Sequence, residues 1–415
     1  MKTMLRSWLV ATVVSCSVSA LAADDWPQWR GPNRDGHSPS TGLLKEWPSG
    51  GPKLAWKATG LGSSFATVSV AGDRIYTMGD LSDGSYALAL NRADGGPAWK
   101  TKIGKAGAPG WGGFAGPRCV PTVDGELIYV VAQYGEAACL KAADGSAVWK
   151  KNYAKDFGGV LPSWGYAGHP LIDGDRVILV PGGRKGGLVA LDKKTGDLIW
   201  QCKELTDSVH YSSPIVAEIG GVRQYVQLTD AHVVGIAAAD GRLLWSARRS
   251  GRTAVVPTPI YHDGCVYVTS GYGAGCSLFR ITAEDGRFSA TQVYANKTMT
   301  NHHGGVVLVG DYLYGHSDAG GWTCQEFKSS KTVWQERSKL GKGSVSFADG
   351  MIYLRGEGGK GTLALVEASP EGYQEKGRFD PPDRSEKNSW PHPVIVDGKL
   401  YVRDQDVLLC YIVHQ

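Results

Sequence analysis

Residues 172–200 read IDGDRVILVPGGRKGGLVALDKKTGDLIW. Two tight-turn signals, Asp173-Gly174-Asp175 and Thr195-Gly196-Asp197, alternate with short runs rich in Val, Ile and Leu. A two-residue hairpin turn needs positive φ at its centre, which Gly, Asp and Asn tolerate and β-branched residues do not. The stretch therefore reads as two successive hairpins, a four-stranded antiparallel unit with no long helical period inside it.

The same unit recurs along the chain. AGDRIYTM, VDGELIYVV, IDGDRVILV, IGGVRQYVQL, HDGCVYVTS, VGDYLYGHS, ADGMIYLRG and VDGKLYVRD place turn glycines at Gly72, Gly125, Gly174, Gly221, Gly264, Gly310, Gly350 and Gly398, about 47 residues apart on average. Second hairpin signals follow, among them ALNRADGGPAW, CLKAADGSAVW and GIAAADGRLLW. Eight four-stranded antiparallel units at one period predict an all-β fold, an eight-bladed β-propeller. The last copy, residues 393–413, holds only three strands, and PKLAWKATG at 52–60 precedes the first copy. The N-terminal strand is thus expected to complete the last blade, closing the ring and removing its exposed sheet edges.

Composition agrees with this reading. Among 415 residues there are 57 Gly, 14 Trp and 18 Tyr, with Gly near twice its usual share of ~7%. A hydrophobic fraction of 42% excludes disorder, and a net charge of +4 is too small to argue for nucleic acid or an anionic membrane surface. Lys2, Arg6, an apolar run from Trp8 to Val14 and small residues at Ala20 and Ala22 predict a signal peptide over 1–22. The mature chain would be exported, periplasmic or secreted, with an extension at 23–51 lying across one face and a propeller over 52–415. It is expected to be a monomer. Val13-Val14-Ser15-Cys16 loosely fits a lipidation site, so a lipid anchor through Cys16 stays open as the alternative. No later run is long and apolar enough to span a bilayer. The seven remaining cysteines contain no CxxC, which excludes zinc ribbons and covalently attached haem. Cys119 with Cys139 is the first candidate disulfide, with buried free thiols as the alternative.

Trp56, Trp99, Trp149, Trp200, Trp245 and Trp334 share one position of the repeat, at the start of the outermost strand. With ALDKKTGDLIW at 190–200 they resemble the tryptophan-docking repeat of the pyrroloquinoline quinone (PQQ)-like propeller family, and the likeness spans 52–415. WPQWRGPNRDG at 26–36 resembles the lead-in of secreted members. The resemblance implies that these six tryptophans pack blade against blade. The family includes both PQQ-dependent dehydrogenases and the outer-membrane barrel-assembly lipoprotein, so the resemblance leaves function open.

Propeller ligands bind where the loops entering the innermost strands converge on the channel. Those segments, taken as 62–66, 111–119, 162–169, 208–213, 250–256, 299–305, 341–345 and 387–392, hold five of the ten histidines and none of the forty acidic residues. The candidate ligand-binding residues are Arg118, Trp164, His169, His210, Tyr211, Arg252, His302, His303, Lys342, Trp390 and His392, with Trp111 and Tyr166 as further aromatic walls. This mouth suits an anionic or aromatic small ligand, a peptide segment of an envelope protein, or a histidine-bound transition metal; no metal site is assigned. His302 and His303 would face opposite ways if extended, a poor pair of ligands.

A PQQ dehydrogenase, as the resemblance implies, needs Ca²⁺ held by oxygen ligands beside the quinone. The eight segments offer no carboxylate and no two cysteines are adjacent, although Asp80, Asp83, Glu136, Asp230, Asp318 and Glu357 in other loops of that face leave a divergent site open. GxSxG, HExxH and phosphate-loop motifs are absent. The leading expectation is a non-catalytic binding or assembly scaffold of the periplasm or envelope, with no cofactor. The alternative is a PQQ-dependent oxidoreductase of alcohols or sugars, with Ca²⁺.

Overall fold

The computed structural model describes residues 25–110, 114–249, 251 and 253–415; the leader with Cys16, Trp111 and Arg252 lie outside the described residues. Eight sheets form the expected blades, seven of them spanning 69–104, 122–152, 171–201, 215–248, 260–296, 306–336 and 343–379. The eighth joins the three strands of 394–412 to Lys53–Ala58, which runs antiparallel to Val407–Ile412 with Lys53 opposite Ile412 and Ala58 opposite Leu408. The N-terminal strand thus closes the ring, as its pattern predicts. Turn chemistry sets the hairpins: Asp397 and Gly398 both take positive φ, 50° and 66°, whose twist matches that of the flanking strands.

All six repeat tryptophans stand beside a bulge in the outer ladder, for example Trp99 opposite Ala89 and Trp334 opposite Cys324. Four reach across to the next blade: the indole N–H groups of Trp99, Trp149, Trp200 and Trp334 donate to the carbonyls of Ala142 (2.9 Å), Lys193 (3.0 Å), Ala238 (3.2 Å) and Ser369 (2.9 Å). Trp56 lies against Gly95 of the first blade, where a Cβ would come within 2.6 Å of the indole, so it docks the last blade onto the first. Trp245 departs, donating at 2.8 Å to Gln224 of its own blade.

The seventh blade has no tryptophan of its own. Its docking position, opposite Leu365 and next to the bulge, is Gly377. Trp47 of the N-terminal extension fills the vacant place: its Cβ lies 2.7 Å from where a Gly377 Cβ would stand, and its backbone N–H donates to the Lys376 carbonyl at 2.8 Å. Its ring lies 5.8 Å from Tyr353, as Trp99 lies 6.0 Å from Tyr76 and Trp149 6.0 Å from Tyr129. A docking residue is therefore supplied from outside the blade.

Residues 26–38 of the extension enter the channel, while 40–47 pass the hairpin turns at Asp397 and Asp349 to reach the outer strand of the seventh blade. Trp26 pairs with Val70 of the first blade, the Pro27 carbonyl accepts from Val123 of the second, and His37–Ser38 runs parallel to Phe347 and Ala348 of the seventh. Between these contacts Arg34 donates to the Pro170 (3.0 Å) and His169 (3.3 Å) carbonyls, Arg30 to Val306 (2.6 Å), and the Trp29 indole to Thr258 Oγ1 (3.0 Å). One segment thus ties together inner strands, or the loops entering them, from six blades.

The expected pairing of Cys119 with Cys139 is not present. All seven described cysteines are free and buried. Cys139, Cys324 and Cys410 stand opposite Trp149, Trp334 and Trp56 in the ladders, where a small apolar side chain leaves the indole its space.

Trp47→Ala removes a buried indole that a blade of this chain cannot replace, and a loss of about 3–5 kcal/mol is expected. Equilibrium urea unfolding of the wild type and variant measures it; a loss under 1 kcal/mol would refute the docking role.

Candidate functional site

The loops entering the inner strands converge around a pocket of about 180 Å³ at the channel mouth. Its floor is Trp29, which stacks on His169 at 4.1 Å and 8° and meets His392 edge-on at 4.7 Å. One wall is Phe65, Phe114 and Trp390, with Trp390 centred 4.5 Å from Phe65 and 5.1 Å from Phe114. Facing it are Trp164 and Tyr211, 6.0 Å apart, the Trp164 N–H donating to Tyr211 Oη at 3.3 Å. A short helix, Tyr153–Phe157, capped by Asn152 and ended by Gly158 at φ 69°, turns the chain into the loop that carries Trp164. Tyr272, stacked on His302 at 4.5 Å, forms a third side.

Of the sequence candidates, Arg118, Trp164, His169, Tyr211, His302, His303, Trp390 and His392 line this pocket. His210 packs beside Tyr211, ring centres 5.6 Å apart, without lining it. Lys342 stands behind His302, its Nζ 3.2 Å from His302 Nδ1 and 3.2 Å from Glu357 Oε1. Tyr166 is no wall: its hydroxyl donates to the Pro181 carbonyl and its ring is buried in the blade core. Trp29, Phe65, Phe114 and Tyr272 line the pocket without having been singled out in the sequence. Phe65 and Phe114 fall inside the marked loops, whereas Trp29 reaches the site only because the extension is threaded into the channel.

Histidine behaviour here follows from burial. His392 donates from Nε2 to the His303 carbonyl at 3.0 Å, which fixes its neutral tautomer. Burial, then the Arg30 charge, lowers its pKa to about 3. Burial, then Arg34, holds His169 far below the ordinary histidine range. His302 is lowered by burial and by the Lys342 ammonium, against the Asp318 carboxylate 2.9 Å from its Nε2. His303 turns its Nε2 to Glu357 Oε2, 2.5 Å away. The two neighbouring histidines reach separate carboxylates, yet both line the same pocket with ring centres 6.2 Å apart, because the chain here is a bend and not an extended strand. Both carboxylates come from loops outside the eight marked segments, so the mouth is less acid-poor than those segments alone imply.

The lining offers aromatic faces, imidazoles, tyrosine hydroxyls and the Arg118 guanidinium. The described lining residues include no Ser, Thr, Cys, Lys, Asp or Glu. A quinone with Ca²⁺ would need several oxygen ligands, yet the nearby Asp318 and Glu357 are engaged by His302, His303 and Lys342. No cluster of three or more His, Cys, Asp or Glu among the described residues is placed to hold a metal ion. The residues present do not fit the quinone and calcium pair.

Tryptophan-docked four-stranded blades around a mouth lined by loops define a PQQ-like eight-bladed propeller. The chain belongs to that family: the family model described as outer membrane protein assembly factor BamB matches residues 82–336. Among solved structures the fold is similar to BamB from Moraxella catarrhalis, at 14% identity and TM-score 0.57 over 81% of this chain and 93% of that one. It is also similar to the quinohemoprotein alcohol dehydrogenase from Comamonas testosteroni, at 12% identity and TM-score 0.65 over 94% and 81%. The computationally designed protein Ika8 gives 10% identity and TM-score 0.61 over 88% and 100%. No curated protein sequence matches the chain. At these identities the likeness is one of fold.

The histidine burial carries a pH signature. For His392, with its pKa lowered from 6.5 to about 3, stability is fully present above pH 6.5. It falls as the pH drops from there toward 3, because the unfolded chain takes up a proton that the folded chain refuses. At pH 5 this is about 2 kcal/mol. His392→Gln keeps a donor for the His303 carbonyl and removes the titration, so its loss of stability between pH 7 and pH 5 in urea melts should be smaller by about that amount. Parallel curves would show that His392 titrates normally.

Proposed function

We propose that this protein is an exported, non-catalytic binding scaffold of the cell envelope, whose recognition site is the aromatic pocket at the channel mouth. It takes an aromatic or aliphatic side chain from an extended segment of a partner protein. The observation that carries this reading is the lining itself: rings on three sides, a tryptophan floor, and no described nucleophile or carboxylate free to react. Membership in a family described by an assembly factor supports the same reading. Export rests on the leader-like residues 1–22, with Cys16 as the point of attachment if the chain is lipidated; no described helix is long and apolar enough to cross a membrane. The mature protein acts as a monomer in this proposal.

The oxidoreductase alternative lacks a donor set for its cofactor and is not carried forward. The test titrates the purified mature protein with PQQ, with and without Ca²⁺, and separately with a Phe- or Trp-containing extended peptide, following intrinsic fluorescence and dye-linked alcohol oxidation. The peptide should bind saturably to the wild type and at least about tenfold more weakly to Trp390→Ala, as expected for a buried aromatic anchor. Ca²⁺-dependent turnover with PQQ would overturn the proposal.

A further inference from the structure

One guanidinium lines the pocket. Arg118 lines it beside Tyr211, with its guanidinium 5.4 Å above the Phe65 ring. Two of its N–H groups donate to carbonyls of its own loop, Gly116 at 2.8 Å and Phe114 at 2.9 Å. It has no ion-pair partner among the described residues. Asp80, a carboxylate whose field reaches it, is committed to Gln133 Nε2 at 2.9 Å and the Gly107 N–H at 2.7 Å. The other nearby cation, Lys342, is neutralised by Glu357. Burial pulls the Arg118 pKa down to about 10, which leaves the group charged at neutral pH. A cation held by its own loop, fixed over an aromatic ring and facing an apolar cleft, is poised for a carboxylate, because charge-assisted hydrogen bonds gain strength where water is excluded.

We propose that the pocket recognises an aromatic ring with one carboxylate close to it, the ring lying between Trp390 and Tyr211 and the carboxylate meeting Arg118. Arg118 is the one arginine or lysine among the described lining residues, which matches a single carboxylate on the ligand. This deepens the reading under Proposed function and rests on it for the source of the ligand, an aromatic residue next to Asp or Glu in an extended polypeptide. A polypeptide is favoured over a free acid by Tyr272, which lines the pocket yet is 45% exposed and offers an apolar face for a flanking residue to cover.

The experiment measures binding of Ac-Gly-Asp-Trp-Gly-amide, its Asn counterpart, indole-3-acetate and indole-3-acetamide to the wild type, Arg118→Gln and Trp390→Ala. Thermal melts confirm that each variant is folded. For the wild type, the Asp peptide should bind about tenfold or more tightly than the Asn peptide, and the difference should shrink at high salt. Arg118→Gln should abolish that ratio while keeping the weaker Asn-level affinity; Trp390→Ala should weaken both peptides. Equal affinity for Asp and Asn peptides overturns the carboxylate inference and leaves the segment-binding reading standing. Binding of indole-3-acetate over the acetamide, through Arg118 and without peptide binding, upholds the ligand chemistry and overturns the polypeptide source. No binding of any of the four overturns both. Should Arg118→Gln unfold, Arg118→Lys serves in its place, with the ratio reduced by loss of the planar fork.

Discussion

A ring of eight wedge-shaped sheets has an axis, and what fills the axis decides what the rest can be. Here it is the chain's own segment from Trp26 to Ser38. Arg30 and Arg34, both buried, place their charges among backbone carbonyls of inner strands and of the loops that lead into them. Burying a guanidinium costs several kcal/mol unless its donors are met. The carbonyls that meet them are held at fixed positions by the blades, so the segment stays only if the blades stay in register around it. Blade geometry and axial packing are thus one constraint seen from two sides.

The pocket inherits its depth from that constraint. Trp29 stands at the apex of the axial segment and closes the channel beneath the mouth, so the site opens on one face. The parallel stack of Trp29 on His169 and the edge contact with His392 join floor and walls through three rings. Both histidines stay neutral because they are enclosed, and an enclosed neutral imidazole is an apolar surface with one polar edge. Around them stand the charges of Arg30 and Arg34 below, of Lys342 with Glu357 and of Asp318 at the side, and of Arg118 in the lining.

Much of this was legible in the sequence, for a local reason. Hairpin turns are written in adjacent residues such as Asp397 and Gly398, and eight repetitions leave little freedom in how blades assemble. The closing strand was legible because the last copy is one strand short. Arg118, Trp390 and His302 were legible as site residues because any loop entering an inner strand must approach the axis. What escaped depends on contacts distant in sequence. Trp29 belongs to no repeat, and Gly377 reads as an ordinary loop-like glycine until Trp47 is seen to fill its place. The missing tryptophan of the seventh blade, beside an unassigned one at position 47, was the available clue. Lys342 and Tyr166 lie in the right loops but turn away, since a loop's position does not fix which of its side chains faces inward. For the cysteines both a disulfide and buried free thiols stayed open in the sequence; the structure has the latter, with Cys139, Cys324 and Cys410 as small apolar spacers opposite tryptophans.

The axial segment also sets an order of events. It is synthesised before its partners: Arg30 waits for Val306, 276 residues on, His37–Ser38 for Phe347 and Ala348, and Lys53–Ala58 for Val407–Ile412. Contacts so distant in sequence are slow to form. Until Val407–Ile412 is made, Lys53–Ala58 has no strand to pair with and the eighth blade cannot close the ring. A chain shortened at its C-terminus therefore forfeits more than one strand: the ring loses its closure, and the segment that should hold its centre is left with an incomplete set of partners.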